Sequence, residues 1–124
     1  SPFSATPERA QRYCDIDPEE EFAVIAETVE EGRRKVVAIA RLVKITLNNS
    51  NEAEFAVIVS DLWQKKTIGY QLSELSVGLA KTWGVKSVVS ETLKENHAMI
   101  KVLKRCRFTV ERKEGSMFTL SLKF

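Results

Sequence analysis

The chain has 124 residues, of which 44% are hydrophobic, and it carries a formal net charge of +2 at neutral pH. This length supports one hydrophobic core and excludes two ordinary domains, so we expect a single domain over residues 1–124, with residues 1–6 as a tail. Because acidic and basic residues nearly balance, we exclude a protein that binds nucleic acid mainly through phosphates, and we expect any anion site to be local.

The first predicted elements are a short helix and a hairpin. Pro7 is suited to the first turn of a helix, which would end near Cys14. Residues 21–28 and 36–45 are rich in β-forming apolar residues, and Gly32 lies in the polar turn between them. These segments therefore predict two antiparallel strands.

A central strand and a long helix follow. A polar turn over residues 46–52 precedes a strand at residues 53–60, whose five consecutive apolar residues are typical of a strand covered on both faces. Apolar residues then recur every three or four positions, as on one stripe of a helix, at Ile68, Leu72, Leu75, Leu79 and Trp83. Gly84 predicts the end of this helix.

The last part of the chain predicts a strand at residues 85–93, then a helix at residues 96–106. The helix would bury Met99, Val102, Leu103 and Cys106. Residues 108–112 and 117–122 alternate on either side of a turn and predict a closing hairpin. Hairpins that flank a strand–helix–strand unit favour an α/β (α+β) fold, with a mixed sheet and helices on both of its faces.

Several kinds of site and location are disfavoured. The longest apolar runs, such as residues 55–59, fall far short of the roughly 20 residues that cross a membrane, and residues 1–12 do not resemble a secretory signal, so we expect a cytoplasmic protein. Cys14 and Cys106 show no CxxC spacing, which favours reduced thiols over a disulfide. His97 is the only histidine, so we expect no metal.

The most informative passage is the connection from the strand at residues 53–60 to the helix that begins near Ile68. A helix N-terminus offers unpaired N–H groups and a partial positive charge to a phosphate, and Lys65 and Lys66 would add charge. Neither GxGxxG nor GxxxxGK[ST] is present, which disfavours a dinucleotide site and a P-loop. From spacing alone, an ordinary connection with two solvated lysines stays open as the alternative.

A resemblance to a known family gives this connection a function. Gln64-Lys65-Lys66-Thr67-Ile68-Gly69 is similar to [Q/R]xxGx[G/A], the pyrophosphate loop of GNAT superfamily N-acetyltransferases. Asn96 stands where many members place an asparagine that faces the pantetheine arm, and Phe108 stands where the family has its terminal Gly-Phe.

The resemblance is closest to the acetyltransferase domain of bacterial Pat-type protein lysine acetyltransferases. It rests on residues 14–17 (Cys-Asp-Ile-Asp), 53–57 (Ala-Glu-Phe-Ala-Val) and 95–99 (Glu-Asn-His-Ala-Met). It implies the GNAT fold, with a mixed, mostly antiparallel sheet. It also implies that this chain lacks the strand and helix with which the family begins. Either those elements belong to a longer parent chain, or a partner subunit, as in a homodimer, covers the exposed edge of the sheet.

The resemblance also implies acetyl-CoA as cosubstrate, lying between the strands at residues 53–60 and 85–93. Backbone groups of Val57 and Val59 would pair with the pantetheine and with the thioester carbonyl, as an oxyanion hole does. The residues that would line the pyrophosphate and the pantetheine arm are Gln64, Lys65, Lys66, Thr67, Ile68, Gly69, Tyr70 and Asn96.

Glu54 is the candidate catalytic base. A lysine acceptor has a reference pKa near ~10.4, so a base must take a proton before the amine can attack. Glu54 lies within the central strand, where Pat-type proteins place a catalytic glutamate, and Glu52 on the same face is the second candidate. An ordinary solvated glutamate is the alternative interpretation of Glu54.

Three departures from the family pattern leave competing functions open. Thr67 and Arg107 replace glycines, and Leu103 replaces a tyrosine that protonates the departing thiolate in many members. The leading hypothesis is an N-acetyltransferase that acts on an amine, either a protein lysine or a small molecule. A non-catalytic acyl-CoA-sensing or regulatory domain is the second hypothesis, and a scaffold that has lost the cofactor is the third.

Overall fold

A computed structural model of the chain describes residues 10–13, 20–45, 51–64 and 67–124. Within these ranges one sheet has the strand order β1-β2-β3-β4-β5-β7-β6. The elements, in chain order, are β1 (Ala10–Tyr13), β2 (Glu21–Glu30), β3 (Arg33–Ile45), β4 (Glu52–Val59), a 3₁₀ turn (Asp61–Trp63), α1 (Ile68–Thr82), β5 (Ser87–Leu93), α2 (His97–Arg105), β6 (Thr109–Glu114) and β7 (Met117–Lys123).

Both predicted hairpins are confirmed. β2 pairs antiparallel with β3 around Glu31 and Gly32, whose φ angles of 51° and 75° are those of a primed turn that suits the twist of two strands. β6 pairs antiparallel with β7 around Gly115, whose φ is 58°. The predicted turn at Gly32 therefore lies where the sequence indicated.

The predicted helix between Pro7 and Cys14 is wrong over the residues that the structure describes there. Ala10–Tyr13 is a strand, and it pairs antiparallel with β2 from Ala10↔Ala26 to Tyr13↔Ala23. Residues 7–9 and Cys14 lie outside the described residues. A four-residue segment has little helix preference of its own, and pairing satisfies the backbone groups along the edge of β2. The sheet thus has an edge strand before the hairpin, where we expected none.

β4 occupies the predicted central place, but only one of its faces is covered. Ala53 and Phe55 are 0% and 1% exposed, whereas Glu54, Ala56 and Ile58 on the other face are exposed. The prediction of cover on both faces is therefore wrong. A run of apolar residues does not reveal which neighbours pack on it, and here the helices lie on one side.

The core lies between one face of the sheet and the two helices. Phe55 of β4, Leu72 of α1 and Leu103 of α2 belong to a single buried cluster. Ala23 and Ile25, whose side chains point to the opposite face, are buried but lie outside that cluster. The mixed, mostly antiparallel α/β fold is confirmed. We expected helices on both faces, and the two described helices both lie on this one, as successive right-handed crossovers in one direction require.

The apolar stripe that predicted α1 is confirmed, and its residues become more exposed towards the end of the helix. Ile68 and Leu72 are 2% and 0% exposed, while Leu75, Leu79 and Trp83 are half-buried against the same core. Gly84 ends the helix as predicted, with a φ of 73°. None of the helices in the described ranges has the length and apolar character that a membrane crossing demands.

Candidate functional site

The candidate site begins where β4 and β5 separate. The two strands pair in parallel through Glu52↔Ser87, Ala53↔Val88 and Glu54↔Val89, and no further pair follows within the described residues. The Ser90 hydroxyl then donates to the Phe55 carbonyl over 2.8 Å. Beyond this contact, none of the described strands pairs with the side of β4 that faced β5.

The backbone of β4 presents polar groups to this gap. Because the Phe55 carbonyl points towards β5, and backbone direction alternates along a strand, the peptide groups of Val57 and Val59 point the same way. The Gln64 side-chain amide donates to the Val59 carbonyl over 3.1 Å. The carbonyl of Val59 therefore already has a partner, and Val57 offers its backbone to the gap.

A cleft of about 190 Å³ lies between β4 and the N-termini of both helices. At Gly69 an added Cβ would lie 3.6 Å from Val59 Cγ2 and 3.9 Å from Val102 Cγ2, so a side chain there would occupy the cleft wall. The lining residues are Val57, Ile58, Val59, Trp63, Gln64, Gly69, Asn96, Ala98, Met99 and Val102. Five predicted site residues, Val57, Val59, Gln64, Gly69 and Asn96, are therefore brought together.

Comparison with known families decides what kind of domain carries this cleft. Residues 1–108 match the model of the acetyltransferase (GNAT) family. The chain belongs to this family. A comparison with curated proteins found no significant match.

Solved structures of other proteins share this fold. The GNAT domain of S. lividans PAT is 24% identical, with a TM-score of 0.75 over 88% of this chain and 64% of that one. A domain from Methanocaldococcus jannaschii is 17% identical, with a TM-score of 0.71 over 85% and 68%. The Campylobacter jejuni N-acetyltransferase PseH, solved with acetyl coenzyme A, is 17% identical, with a TM-score of 0.64 over 84% and 68%. This chain spans about two thirds of each.

The connection that resembles the pyrophosphate loop accommodates Thr67 in place of a glycine. Thr67 has φ −75° and ψ −2°, an ordinary right-handed conformation, so its side chain adds no backbone strain. Its side chain makes no capping hydrogen bond. The first N–H groups of α1, from Ile68 to Tyr70, have no acceptor within the helix and remain available to a ligand. Lys65 and Lys66 lie outside the described residues.

Asn96 has a structural role and also faces the cleft. Its side-chain oxygen accepts a hydrogen bond of 3.2 Å from the Met99 N–H, as an N-cap residue does. The same residue lines the cleft beside Ala98 and Met99. The cap therefore fixes the start of α2 at the cleft wall.

A second, more basic cavity of about 520 Å³ lies against the start of α1 and one side of α2. Its charged wall is one side of α2, where Lys101 and Arg105 follow His97 at intervals of four. The Arg105 guanidinium lies 3.9 Å from the centre of the Tyr70 ring. A hydrogen bond with Glu74, followed by burial, raises the pKa of Tyr70. Sequence reasoning missed this wall, although the spacing of four places its residues on one helix face.

The two candidate bases differ in their surroundings. Glu52 is half-buried and accepts a hydrogen bond of 2.8 Å from the Ser87 hydroxyl. Glu54 is exposed, lies two register pairs closer to the gap, and has no ion-pair or hydrogen-bond partner among the described residues. Glu91 of β5 points to the same face across the gap, and sequence reasoning missed it. Its alternation with the buried residues Ser90 and Thr92 was the available signal.

Two further residues contribute no acid or nucleophile to the cleft. Leu103 is 0% exposed within the core. Burial, which outweighs the nearby Arg105, raises the pKa of the Cys106 thiol to about 11. No group of three His, Cys, Asp or Glu that could hold a metal ion occurs in the part of the chain that the structure describes.

Proposed function

We propose that this GNAT domain transfers an acetyl group from acetyl-CoA to a primary amine, and that the amine is a protein lysine. The observation that carries the proposal is the separation of β4 from β5 beside the free N-terminus of α1. An extended, amide-containing arm can enter such a gap and pair with the backbone of β4, as an added strand would. The N-terminus of the helix can bind a phosphate.

The donor would extend from one cavity to the other. Its pyrophosphate fits the N–H groups at Ile68, Gly69 and Tyr70, with Lys65 and Lys66 in the same loop. Lys101 and Arg105 supply positive charge for the remaining phosphate in the adjoining cavity. Asn96 lies beside the path of the pantetheine arm. Acetyl coenzyme A bound to PseH, which shares the fold, supports this donor.

The Val57 backbone supports the oxyanion role. The amine nitrogen would attack the thioester carbonyl carbon, and negative charge would develop on the carbonyl oxygen. A backbone N–H that faces the gap stabilises that charge without needing to reorient. Because the group is backbone, Val57→Ala should leave the rate largely unchanged. The Val59 carbonyl would serve instead to hold Gln64 in the loop.

Glu54 is the base that the arrangement favours. Its exposed carboxylate can take the proton that the lysine ammonium must lose before the neutral amine attacks, whereas the carboxylate of Glu52 is held by Ser87. The intermediate then collapses, the C–S bond breaks, and the CoA thiolate leaves. A thiol with a pKa near ~8.5 is a good leaving group, so water can protonate it and no tyrosine is needed at Leu103.

The acceptor class rests on the local resemblance to Pat-type proteins at residues 53–57 and 95–99. The likeness to S. lividans PAT, at 24% identity, agrees with this interpretation but by itself speaks only for the fold. An exposed Glu54 on an open face also suits a bulky acceptor better than a closed pocket would. A lysine on a polypeptide is such an acceptor.

The test is Glu54→Gln, with Glu52→Gln as the matched control. For Glu54→Gln we expect kcat for acetyl transfer to a lysine peptide to fall by about 10²–10⁴, because a general base contributes about that much. Calorimetry should show unchanged acetyl-CoA affinity, since the residue lies away from the phosphates. Glu52→Gln keeps an acceptor for Ser87 and should retain most activity. Equal loss in both variants, or none in either, would contradict the assignment of Glu54.

A non-catalytic acyl-CoA sensor is the second candidate, because Leu103 supplies no acid at the family's usual position. In that case acetyl-CoA would bind and no amine would be acetylated. Measurements of acetyl-CoA binding and of acetyl transfer with the unsubstituted chain distinguish these two functions.

A further inference from the structure

The hydroxyl of Ser90 lies at the point where β4 and β5 separate. Phe55 and Ser90 come next in register after the last parallel pair, Glu54↔Val89, but they do not continue the ladder. The Ser90 hydroxyl instead donates to the Phe55 carbonyl over 2.8 Å, and the two residues are 4% and 1% exposed. A buried side-chain hydrogen bond therefore stands where a backbone bond of the ladder would be.

The backbone of β5 turns away from β4 at this point but keeps its other neighbour. In a parallel ladder that continued, the Phe55 carbonyl would accept the N–H of Glu91, and no such pair is present among the described strands. Ser90 pairs with Leu120 of β7, and β5 stays paired with β7 as far as Leu93. β5 is therefore an ordered strand where it leaves β4, and its end has not frayed.

The Phe55 carbonyl needs a donor, because a buried carbonyl without a hydrogen bond destabilises the fold. If the Ser90 side chain supplied none, the Glu91 N–H would be the nearest backbone donor by register. Its bond to Phe55 would draw β5 towards β4 and extend the ladder in the direction of Val57, two residues further along β4. The Ser90 hydroxyl satisfies the carbonyl and so allows the strands to diverge.

We propose that Ser90 is a positioning residue for the acetyl donor: its hydroxyl ends the β4–β5 ladder and so keeps the Val57 backbone open to the arm of acetyl-CoA. This inference rests on the proposed function. Ser90 acts through the Phe55 carbonyl and is not among the described residues that line the cleft. Without the hydroxyl, β5 pairs further along β4 and competes with the donor for the same backbone groups.

The experiment compares Ser90→Ala with Ser76→Ala in the whole chain. Ser76 is the matched control, because it is 1% exposed and its hydroxyl donates to the Leu72 carbonyl over 2.8 Å, a carbonyl that also accepts a backbone N–H of α1. Calorimetry measures acetyl-CoA affinity, and NMR measures hydrogen exchange of the Glu91 amide without ligand. Ser90→Thr keeps the hydroxyl as a rescue, and Ser90→Cys repeats the comparison should the alanine variant not fold.

In Ser90→Ala we expect the dissociation constant and the KM of acetyl-CoA to rise by about tenfold, while the KM of the amine stays within about twofold. Exchange of the Glu91 amide should slow by at least about tenfold, because this N–H becomes bonded to the Phe55 carbonyl. Ser90→Thr should restore both values, and Ser90→Cys should lie between, since a thiol is a weak donor. Ser76→Ala should change neither measurement.

Unchanged acetyl-CoA affinity in folded Ser90→Ala, or an equal loss in Ser90→Ala and Ser76→Ala, would overturn the role of Ser90. So would unchanged or faster exchange of the Glu91 amide, because the ladder would then not have extended. A different result contradicts the proposed function instead: an unsubstituted chain that binds no acetyl-CoA at millimolar concentration. In that case the Glu91 exchange rate in Ser90→Ala still decides whether the hydroxyl ends the ladder.

Discussion

At the scale of single residues, the two helices end with the same backbone conformation but with different residue types. Gly84 after α1 and Arg107 after α2 both have left-handed φ angles, of 73° and 74°. After α2, the N–H groups of Arg107 and Phe108 donate to the carbonyls of Lys104 and Leu103, each over 2.9 Å. This is the Schellman arrangement, and the contact between the buried Phe108 and Leu103 accompanies it.

Arg107→Gly should therefore stabilise the domain. A side chain with a left-handed backbone costs roughly 1–2 kcal/mol, part of which is offset by the greater freedom of glycine in the unfolded chain. We expect a gain of about 1 kcal/mol in the free energy of unfolding, measured by urea denaturation. Gly84→Ala, the matched change in the other direction, should destabilise by a similar amount. A loss of stability in Arg107→Gly would show that the arginine side chain contributes contacts that outweigh its strain.

Cys106 provides a second prediction at this scale, about pH. Its pKa is raised in the folded state, from 9.0 to about 11, because burial disfavours the thiolate. Above pH 9 the unfolded thiol ionises while the folded thiol does not, so its contribution to stability is complete below pH 9 and is lost as the pH rises towards 11. Cys106→Ala should lack this decline in alkaline urea titrations.

The same burial should protect the thiol from reagents. In a Cys14→Ser background, Cys106 is the remaining cysteine. We expect its alkylation at pH 8 to be at least about 100-fold slower in the native state than in urea, because two pKa units remove that fraction of thiolate. Rapid labelling of the native protein would contradict the burial of this residue.

At the scale of elements, the two helix N-termini are built differently although both face the candidate site. Asn96 caps α2 through the Met99 N–H, whereas Thr67 makes no side-chain cap for α1. A capped N-terminus is fixed but has fewer free donors, while an uncapped one keeps its donors for a ligand. The uncapped end belongs to the loop that resembles a pyrophosphate site.

Asn96→Ala should thus cost about 1 kcal/mol of folding stability, the usual value for a lost N-cap, and Thr67→Ala should change stability by less than about 0.5 kcal/mol. Thermal denaturation of both variants measures the difference. Thr67→Gly should not tighten acetyl-CoA binding, because the φ angle at this position is already negative. A large gain in affinity from that glycine would mean that the loop changes conformation when ligand binds.

At the scale of the whole molecule, the candidate cleft is formed by three elements that are separate in sequence. Val57, Gly69 and Asn96 belong to β4, α1 and the start of α2, and they meet because both helices pack on one face. A ligand that fills the cleft therefore stabilises the folded chain as a unit.

Acetyl-CoA should consequently raise the melting temperature. At a ligand concentration of 100 times the dissociation constant, mass action predicts about 2.7 kcal/mol of stabilisation, which differential scanning calorimetry can detect. CoA lacking the thioester should stabilise to a similar degree if the phosphates and the pantetheine arm dominate binding. No shift at millimolar ligand would exclude both the enzyme and the sensor, and would favour the scaffold.

The sequence by itself determined the elements whose signal is local. The stripe from Ile68 to Trp83 predicts α1, because helical spacing alone places those residues on one face. Gly32 and Gly84 mark a turn and a helix end, since glycine adopts positive φ without steric cost. The segments around Gln64 and Asn96 resemble the GNAT family, and the family match over residues 1–108 confirms that membership.

Only the tertiary structure decided what depends on partners distant in the chain. Ala10–Tyr13 is a strand because β2 offers it an edge, and β4 has an open face because both helices pack on its other side. The gap at Val57 exists because β5 stops pairing after Val89, which no local pattern in either strand encodes. Strand pairing and helix packing are non-local, so spacing predicts which faces are apolar but not which of them is covered.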